Sequence, residues 1–289
     1  MNEKSDKQRR IWIILFIIFL IVLAVGIGLF IVQEMRRKQA ADSYEEIIDS
    51  VNVVIDEAID VSGNEVAEPE EPLIEEEIPE EPDILEELGI EIPEKNLDWD
   101  ALHEENEDIY AWLYVPDTTV DYPVLQHPTD NAFYLNHNID GSSGYPGCIY
   151  TEDYNSRDFT DPHTVLYGHN LRDKTMFSTL HNFEDEGLFA EDHYIFVYTE
   201  DYVYVYQIFA AYEFSAIHLL DNYDLTNEYV YEQYIKDIFN IPNTSNRFNN
   251  IRDDVEVTKE DRIITLSTCT SSHNSAFRFL VVGVLLNPL

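Results

Sequence analysis

Hydrophobic positions fall into three regimes along this chain. Residues 11–32, IWIILFIIFLIVLAVGIGLFIV, run for 22 positions without a charge. As a helix rising about 1.5 Å per residue they would span about 33 Å, roughly one bilayer core. A cleaved signal peptide carries a shorter apolar run of about 7 to 15 residues and a small-x-small cleavage site, so the pattern predicts a retained membrane-spanning helix. Beyond it, Tyr44, Ile48, Val51, Ile55 and Ala58 recur at spacings of four and three, the stripe of a short helical stalk. Two heptads are too few to specify a coiled coil.

The third regime begins near Asn96. A helical stretch, NLDWDALHEENEDIYAWL, can pack Leu97, Ala101 and Leu102 on one face. Short runs rich in aromatic and β-branched residues follow, separated by turn residues: AWLYV, YPVL, GCIYTE, HTVLYG, HYIFVYT, YVYVYQIFAAY, RIITLSTC and FRFLVVGVLL. Eight such runs predict a mainly β fold, an eight-stranded barrel with flanking helices. One late amphipathic helix, from Thr226 to Asn240, interrupts them, with Val230, Tyr234, Ile235 and Ile238 on one face and Thr226 as its N-cap. An insertion of that length can build one wall of a site, and packing the core is its other use.

Composition sharpens this division. The chain has 289 residues and a formal net charge of -40. Between Glu65 and Lys95, 14 of 31 residues are acidic, interleaved with five prolines. Such a segment repels itself and predicts an extended linker. The expected organisation is therefore a short cytoplasmic tail (1–10), the anchor (11–32), a helical stalk (33–62), the acidic linker (63–95) and a barrel domain (96–289) that folds without them. Four basic residues precede the anchor, Lys4, Lys7, Arg9 and Arg10, and three follow it, Arg36, Arg37 and Lys38. That asymmetry favours the N-terminus inside and the barrel outside the cell. From Trp99 onward there are 32 Asp and Glu against 9 Lys and Arg, which argues against a nucleic-acid partner.

The candidate chemistry sits at strand ends. Cys269 closes one apolar run in TLSTC, Arg278 opens the next, and His169 follows a third in VLYGHN. A thiol beside a proton carrier and a cation is suited to acyl transfer: the thiolate attacks a carbonyl and the guanidinium stabilises the oxyanion. His273, four residues after Cys269, is a rival base. A tyrosine phosphatase would need Cys and Arg closer together in one phosphate-cradling loop, whereas eight residues separate them here. A disulfide between Cys148 and Cys269 is the ordinary alternative for an even cysteine count, but a domain of about 190 residues needs no staple to fold. No metal-ligand motif is present, and the proposed groups need no cofactor.

These residues carry a resemblance. TLSTC is similar to the TLxTC motif of sortases, YGHN to their histidine segment, and Arg278 before FLVVG to their arginine. Class B is the nearest likeness. DIYAWLYVPDTTVDYPVLQHPTDNAFYLNHN with GYPGCIYTED resembles the first strands of that class, and KTMFSTLHNFED its helix after the histidine. The helix from Thr226 to Asn240 resembles the one that sets class B apart. The resemblance implies a single-pass, membrane-anchored transpeptidase on the outside of a Gram-positive cell. Such an enzyme cleaves a C-terminal sorting signal after Thr, holds a thioester, and passes the protein to an amine of a cell-wall precursor or pilin. It also implies Cys269 as nucleophile, His169 as acid and base, and Arg278 as oxyanion partner, with Asn131, Leu135, Tyr234, Ile235 and Ser267 lining the substrate groove. Cys148 stands where a Ser is common, and the loop TSSHNSAF is particular to this chain. A hydrolytic cysteine peptidase and a non-catalytic binding module on a stalk are the two other readings. Papain-like enzymes place Cys before His, the reverse of the order here.

Overall fold

Alternating and continuous apolar runs pair laterally until the sheet closes on itself. The structure, a computed structural model, describes residues 3–51, 84–241, 248–272 and 274–288. Nine strands form one sheet: β1 (Ile109–Val115), β2 (Val120–Leu125), β3 (Ile149–Tyr150), β4 (His163–Tyr167), β5 (Tyr194–Tyr198), β6 (Val203–Ser215), β7 (Asn249–Ile251), β8 (Ile263–Cys269) and β9 (Phe277–Leu285). Their order is β5-β1-β2-β3-β4-β8-β9-β6-β7, and β5 also pairs with β6. That last pairing closes eight strands into a barrel, as the eight apolar runs predict. The ninth, β7, is appended to the far half of β6. Its sequence, Asn-Asn-Ile, has neither alternation nor β-propensity to announce it.

The membrane-crossing candidate and residues 33–51 of the expected stalk form one helix, α1 (Glu3–Val51), whose apolar side chains from Trp12 to Val32 are exposed. Its far end docks on the barrel. Tyr44 and Val51 are buried there, Tyr44 donates its hydroxyl to the Gly147 carbonyl at 2.8 Å, and its ring meets Tyr122 edge-on at 6.0 Å. Ile55 and Ala58 of the predicted stripe lie outside the described residues, as do His273 and residues 52–83 of the stalk and linker.

The segment before the barrel is held tightly. In α2 (Ile84–Leu88), Leu85 is buried. Tyr198 donates its hydroxyl to the Pro93 carbonyl at 2.7 Å. Lys95 pairs with Asp121 at 2.6 Å, its side chain only 5% exposed, and its ammonium sits 4.2 Å from the Tyr114 ring centre. Next comes α3 (Trp99–Glu105), capped by Asp98, whose carboxylate accepts from the Ala101 N–H at 3.0 Å. Leu102 is buried and Leu97 packs beside it, but Ala101 faces solvent. The helix is too short to wrap a wider face inward.

Three more helices decorate the barrel: α4 (Glu186–Phe189), α5 (Leu219–Asn222) and α6 (Glu228–Phe239). Asn227 caps α6, its side-chain oxygen accepting from the N–H groups of Tyr229 and Val230. Thr226, the expected cap, instead donates its hydroxyl to Asp224 at 2.6 Å. Both cysteines are free thiols, so the disulfide alternative is not realised.

Two measurements follow from this packing. Lys95 and Asp121 form a buried pair, and removing one partner of such a pair costs roughly 3 to 5 kcal/mol. A fragment starting at Ile84 should therefore melt at least about 6 °C above one starting at Asn96, taking about 2 °C per kcal/mol. Equal melting temperatures would mean that residues 84–95 add nothing. The second concerns His163, fully buried at the start of β4, with Nε2 2.7 Å from the Thr265 hydroxyl and Nδ1 without a partner among the described residues. Burial lowers its pKa to about 3, while the unfolded chain takes up that proton near pH 6.5. Stability is thus complete above pH 6.5 and lost as pH falls toward 3. At pH 5 the loss from this group should be about 2 kcal/mol. Thermal melts at pH 7.5 and pH 5 should show a smaller acid shift in His163→Gln than in the unsubstituted chain, and identical shifts would contradict the assignment.

Candidate active site

Strand register assembles the site. β4 and β8 run parallel with Tyr167 opposite Ser267, and the pairing extends one step further through the Gly168 N–H to the Ser267 carbonyl at 3.2 Å. Two residues beyond each member of that pair come His169 and Cys269, side by side at the strand ends. β8 and β9 run antiparallel with Cys269 opposite Arg278. Neighbouring strands lie about 4.8 Å apart, so His169, Cys269 and Arg278 form a row across three adjacent strands with the thiol in the middle. Gly168 is required for this approach: a Cβ there would lie 2.5 Å from Ile149 Cδ1 and 2.7 Å from Phe177 Cδ2.

Each member of the row is held by its surroundings. The Leu135 carbonyl lies 2.7 Å from His169 Nε2. A carbonyl can only accept, so Nε2 carries the hydrogen and Nδ1 is the nitrogen left to exchange a proton. Tyr145 meets the same ring edge-on at 5.0 Å. Behind it, Gly147 has φ +70°, and a Cβ at that position would crowd the Leu135 carbonyl at 3.0 Å. The Cys269 carbonyl accepts from the Asn170 side chain at 3.2 Å, which fixes the end of β8 while leaving the thiol at the rim. Arg278 Nη1 donates to the Phe277 carbonyl at 2.9 Å, leaving its other N–H groups for a further acceptor. Cys148 differs from Cys269 in kind. It is buried beneath Tyr44, whose hydroxyl lies 3.0 Å from its sulfur, and burial pushes its thiol up to about 12. It remains a thiol at neutral pH.

The row opens on a cleft of about 250 Å³. Of the predicted groove residues, Leu135 and Ser267 line it beside His169, Cys269 and Arg278. The other three are placed elsewhere. Asn131 exchanges hydrogen bonds with Asp153 at 2.6 and 3.0 Å and does not border the cleft. Tyr234 and Ile235 are buried in the core under α6. The wall they were expected to supply comes from residues 214–219, the end of β6 and the start of α5. A larger cavity of about 510 Å³ lies between α1 and the loop after His169, with Tyr145 on its border.

Two residues that sequence reasoning passed over also line the cleft, Glu152 and His218. Their side chains meet at 2.5 Å, and Tyr167 lies along the His218 ring at 6.0 Å. The available signal was slight: a buried-looking run, GCIYTE, ending in an acid, and a lone His after β6 that proves to cap α5.

Comparison with known proteins identifies the family. A Sortase domain model matches residues 113–286. Sortase B of Listeria monocytogenes is 33% identical over 187 residues, 63% of this chain and 71% of the relative. Sortase B of Staphylococcus aureus is 33% identical over 188 residues, 64% and 72% of the two chains. The crystal structure of Clostridium perfringens sortase B superposes with a TM-score of 0.57 and 31% identity, covering 65% of this chain and 99% of that one. With the barrel, the ordered motifs and these relatives in agreement, the chain belongs to the sortase family, as a class B cysteine transpeptidase.

Proposed function

We propose that Cys269 cleaves a C-terminal sorting signal of a surface protein after its Thr and passes the acyl group to an amine of a cell-wall precursor or pilin. The observation that carries this reading is the row of His169, Cys269 and Arg278 across β4, β8 and β9, open to one cleft. His169 Nδ1 takes the proton of the Cys269 thiol, and the resulting thiolate forms a C–S bond to the Thr carbonyl carbon as the carbonyl electrons move to oxygen. Arg278 donates to that oxyanion through N–H groups not engaged by Phe277. As the C–N bond breaks, His169 gives the proton on Nδ1 to the leaving amine, and a thioester remains on Cys269. The acceptor amine then attacks the thioester carbonyl, His169 recovers a proton from it, and the thiolate departs from a new amide.

The apolar stretch of α1 is long enough to cross a bilayer, and sortases are cell-surface enzymes. A single-pass anchor at residues 11–32 with the barrel outside the membrane fits both facts. The separate roles of tail, stalk, linker and catalytic domain follow the same reading, as do roles for Leu135 and Ser267 in holding substrate.

Cleavage of sorting-signal peptides tests the reaction. Cys269→Ala should abolish it without lowering the melting temperature, because no other thiolate reaches the cleft. Arg278→Lys keeps the charge but loses the planar fork of donors. Removing an oxyanion donor costs roughly 2.7 to 4 kcal/mol, so turnover should fall by about a hundredfold or more while KM changes little. An Arg278→Lys protein with unchanged kinetics would remove the oxyanion role.

A further inference from the structure

Backbone pairing runs out at Cys269, the last residue of β8, and side chains hold the strand end from there. Two of them approach the Cys269 carbonyl: Asn170 Nδ2 at 3.2 Å and His181 Nε2 at 3.0 Å. Asn170 also reaches the Thr270 carbonyl at 3.3 Å. His181 belongs to a 3₁₀ turn, Ser178–Glu184, and its ring lies along Phe279 with centres 4.6 Å and planes 29° apart. Its Nε2 is 3.0 Å from Asn170 Nδ2. One imidazole therefore touches Cys269 itself, the residue that follows His169 and the residue that follows Arg278. Successive side chains on a strand alternate faces, so Phe279 puts this contact behind the sheet from Arg278, and neither Asn170 nor His181 borders the cleft.

Hydrogen placement shows how the ring is held. Glu184 Oε1 lies 2.7 Å from His181 Nδ1, and a carboxylate oxygen accepts, so Nδ1 carries a hydrogen. In the neutral ring Nε2 is then an acceptor and takes one Asn170 hydrogen, while the other Asn170 hydrogen goes to the Cys269 and Thr270 carbonyls. In the charged ring Nε2 donates to the Cys269 carbonyl directly. Either way the strand end is tied to the loop after β4, and the tie survives a change in the charge of His181. The side chains of His181 and Glu184 are only 11% and 16% exposed, which shields these bonds from competition with water.

From this we infer that His181 is a positioning residue for the row of His169, Cys269 and Arg278, fixing the thiol against its two neighbours from behind the sheet, with Glu184 setting the ring. The inference rests on the reading of that row as the acyl-transfer site. Strand pairing does not extend to His169, which lies past the end of β4, so its distance from Cys269 depends on what ties the loop to the strand end. That tie is the Asn170 and His181 contact. A misplacement of about 1 Å between reacting groups can cost about a hundredfold in rate, while a substrate in the cleft, which His181 does not border, should bind as before.

Two substitutions in the full chain separate this role from packing alone. His181→Phe keeps a ring against Phe279 and loses both nitrogens; His181→Gln loses the ring but places an amide where Nε2 stood, able to donate or accept. If His181 only packs, activity should follow the melting temperature and His181→Gln should be no better than His181→Phe. The expected result is the reverse. With a sorting-signal peptide, kcat should fall about tenfold or more in His181→Phe with KM within about twofold, and His181→Gln should recover to within about threefold of the unsubstituted chain. Alkylation of Cys269 by iodoacetamide, located by mass spectrometry, reads the same geometry without a sorting signal, since it is faster when His169 is near enough to take the thiol proton. Its rate should fall about threefold or more in His181→Phe and recover in His181→Gln. Glu184→Leu, which leaves the ring but removes the acceptor that sets it, should slow alkylation too, and Glu184→Gln should not. Unchanged alkylation in His181→Phe, or in Glu184→Leu where His181→Phe does not fold, overturns the inference, as does a loss that His181→Gln shares in full. Failure of the acyl-transfer reading shows separately, as an unsubstituted chain that is alkylated at Cys269 but cleaves no sorting signal.

Discussion

Register between β4 and β8 is the constraint on which the site depends. Parallel strands do not share a tight turn, so nothing local brings His169 near Cys269; about a hundred residues separate them in the chain. Their proximity comes from closing the barrel, which leaves β4 and β8 as neighbours with Tyr167 opposite Ser267. A slip of one residue would turn the side chains of a strand to its opposite face. Burial prevents it. Val165, Leu166, Ile264 and Leu266 are all buried at this seam, and His163 meets Thr265 across it. The barrel core therefore sets the placement of His169 beside Cys269 at a distance, and a change deep in the seam should reach the thiol through register alone.

The supports around the row extend that logic outward. The Leu135 carbonyl orients His169, and the loop carrying Tyr145 and Gly147 packs against the same ring. Tyr44 of α1 closes on the Gly147 carbonyl from behind. The helix that contains the membrane-crossing candidate thus ends against the loop that shapes the histidine side of the cleft. Arg278 is held by the backbone of its own strand, so its free donors are set by β9 and not by a partner carboxylate. An acidic counter-ion would have competed with a substrate oxyanion for those donors.

The row of His169, Cys269 and Arg278 was legible in the sequence because each residue sits at the end of an apolar run, where strand pattern and candidate chemistry coincide: TLSTC, VLYGHN and FRFLVVG. The eight barrel strands were legible for the same reason. What failed to show was packing against the barrel. Tyr234 and Ile235 have the spacing of an amphipathic face, and that face turns into the core; a helical stripe reports burial and cannot say whether the buried surface borders a cleft. Residues 214–219 supply the wall instead, without a periodicity to mark them. The segment 84–95 reads as acidic linker by composition, yet Leu85, Pro93 and Lys95 each contact the domain. A single buried Lys within a run of acids is invisible to an average. Glu152 and His218 meet only because β3 and the turn after β6 converge on the cleft, a contact across 66 residues.

The central claim is that Cys269 carries the acyl group between cleavage and transfer. Intact-protein mass spectrometry of the full chain, incubated with a sorting-signal peptide and quenched in acid, tests it most directly. The account predicts a mass increase equal to the peptide fragment ending in Thr, located on Cys269, that disappears on adding an amine as the matching amide product forms. Cleavage without any adduct, or with an adduct on another residue, would contradict it.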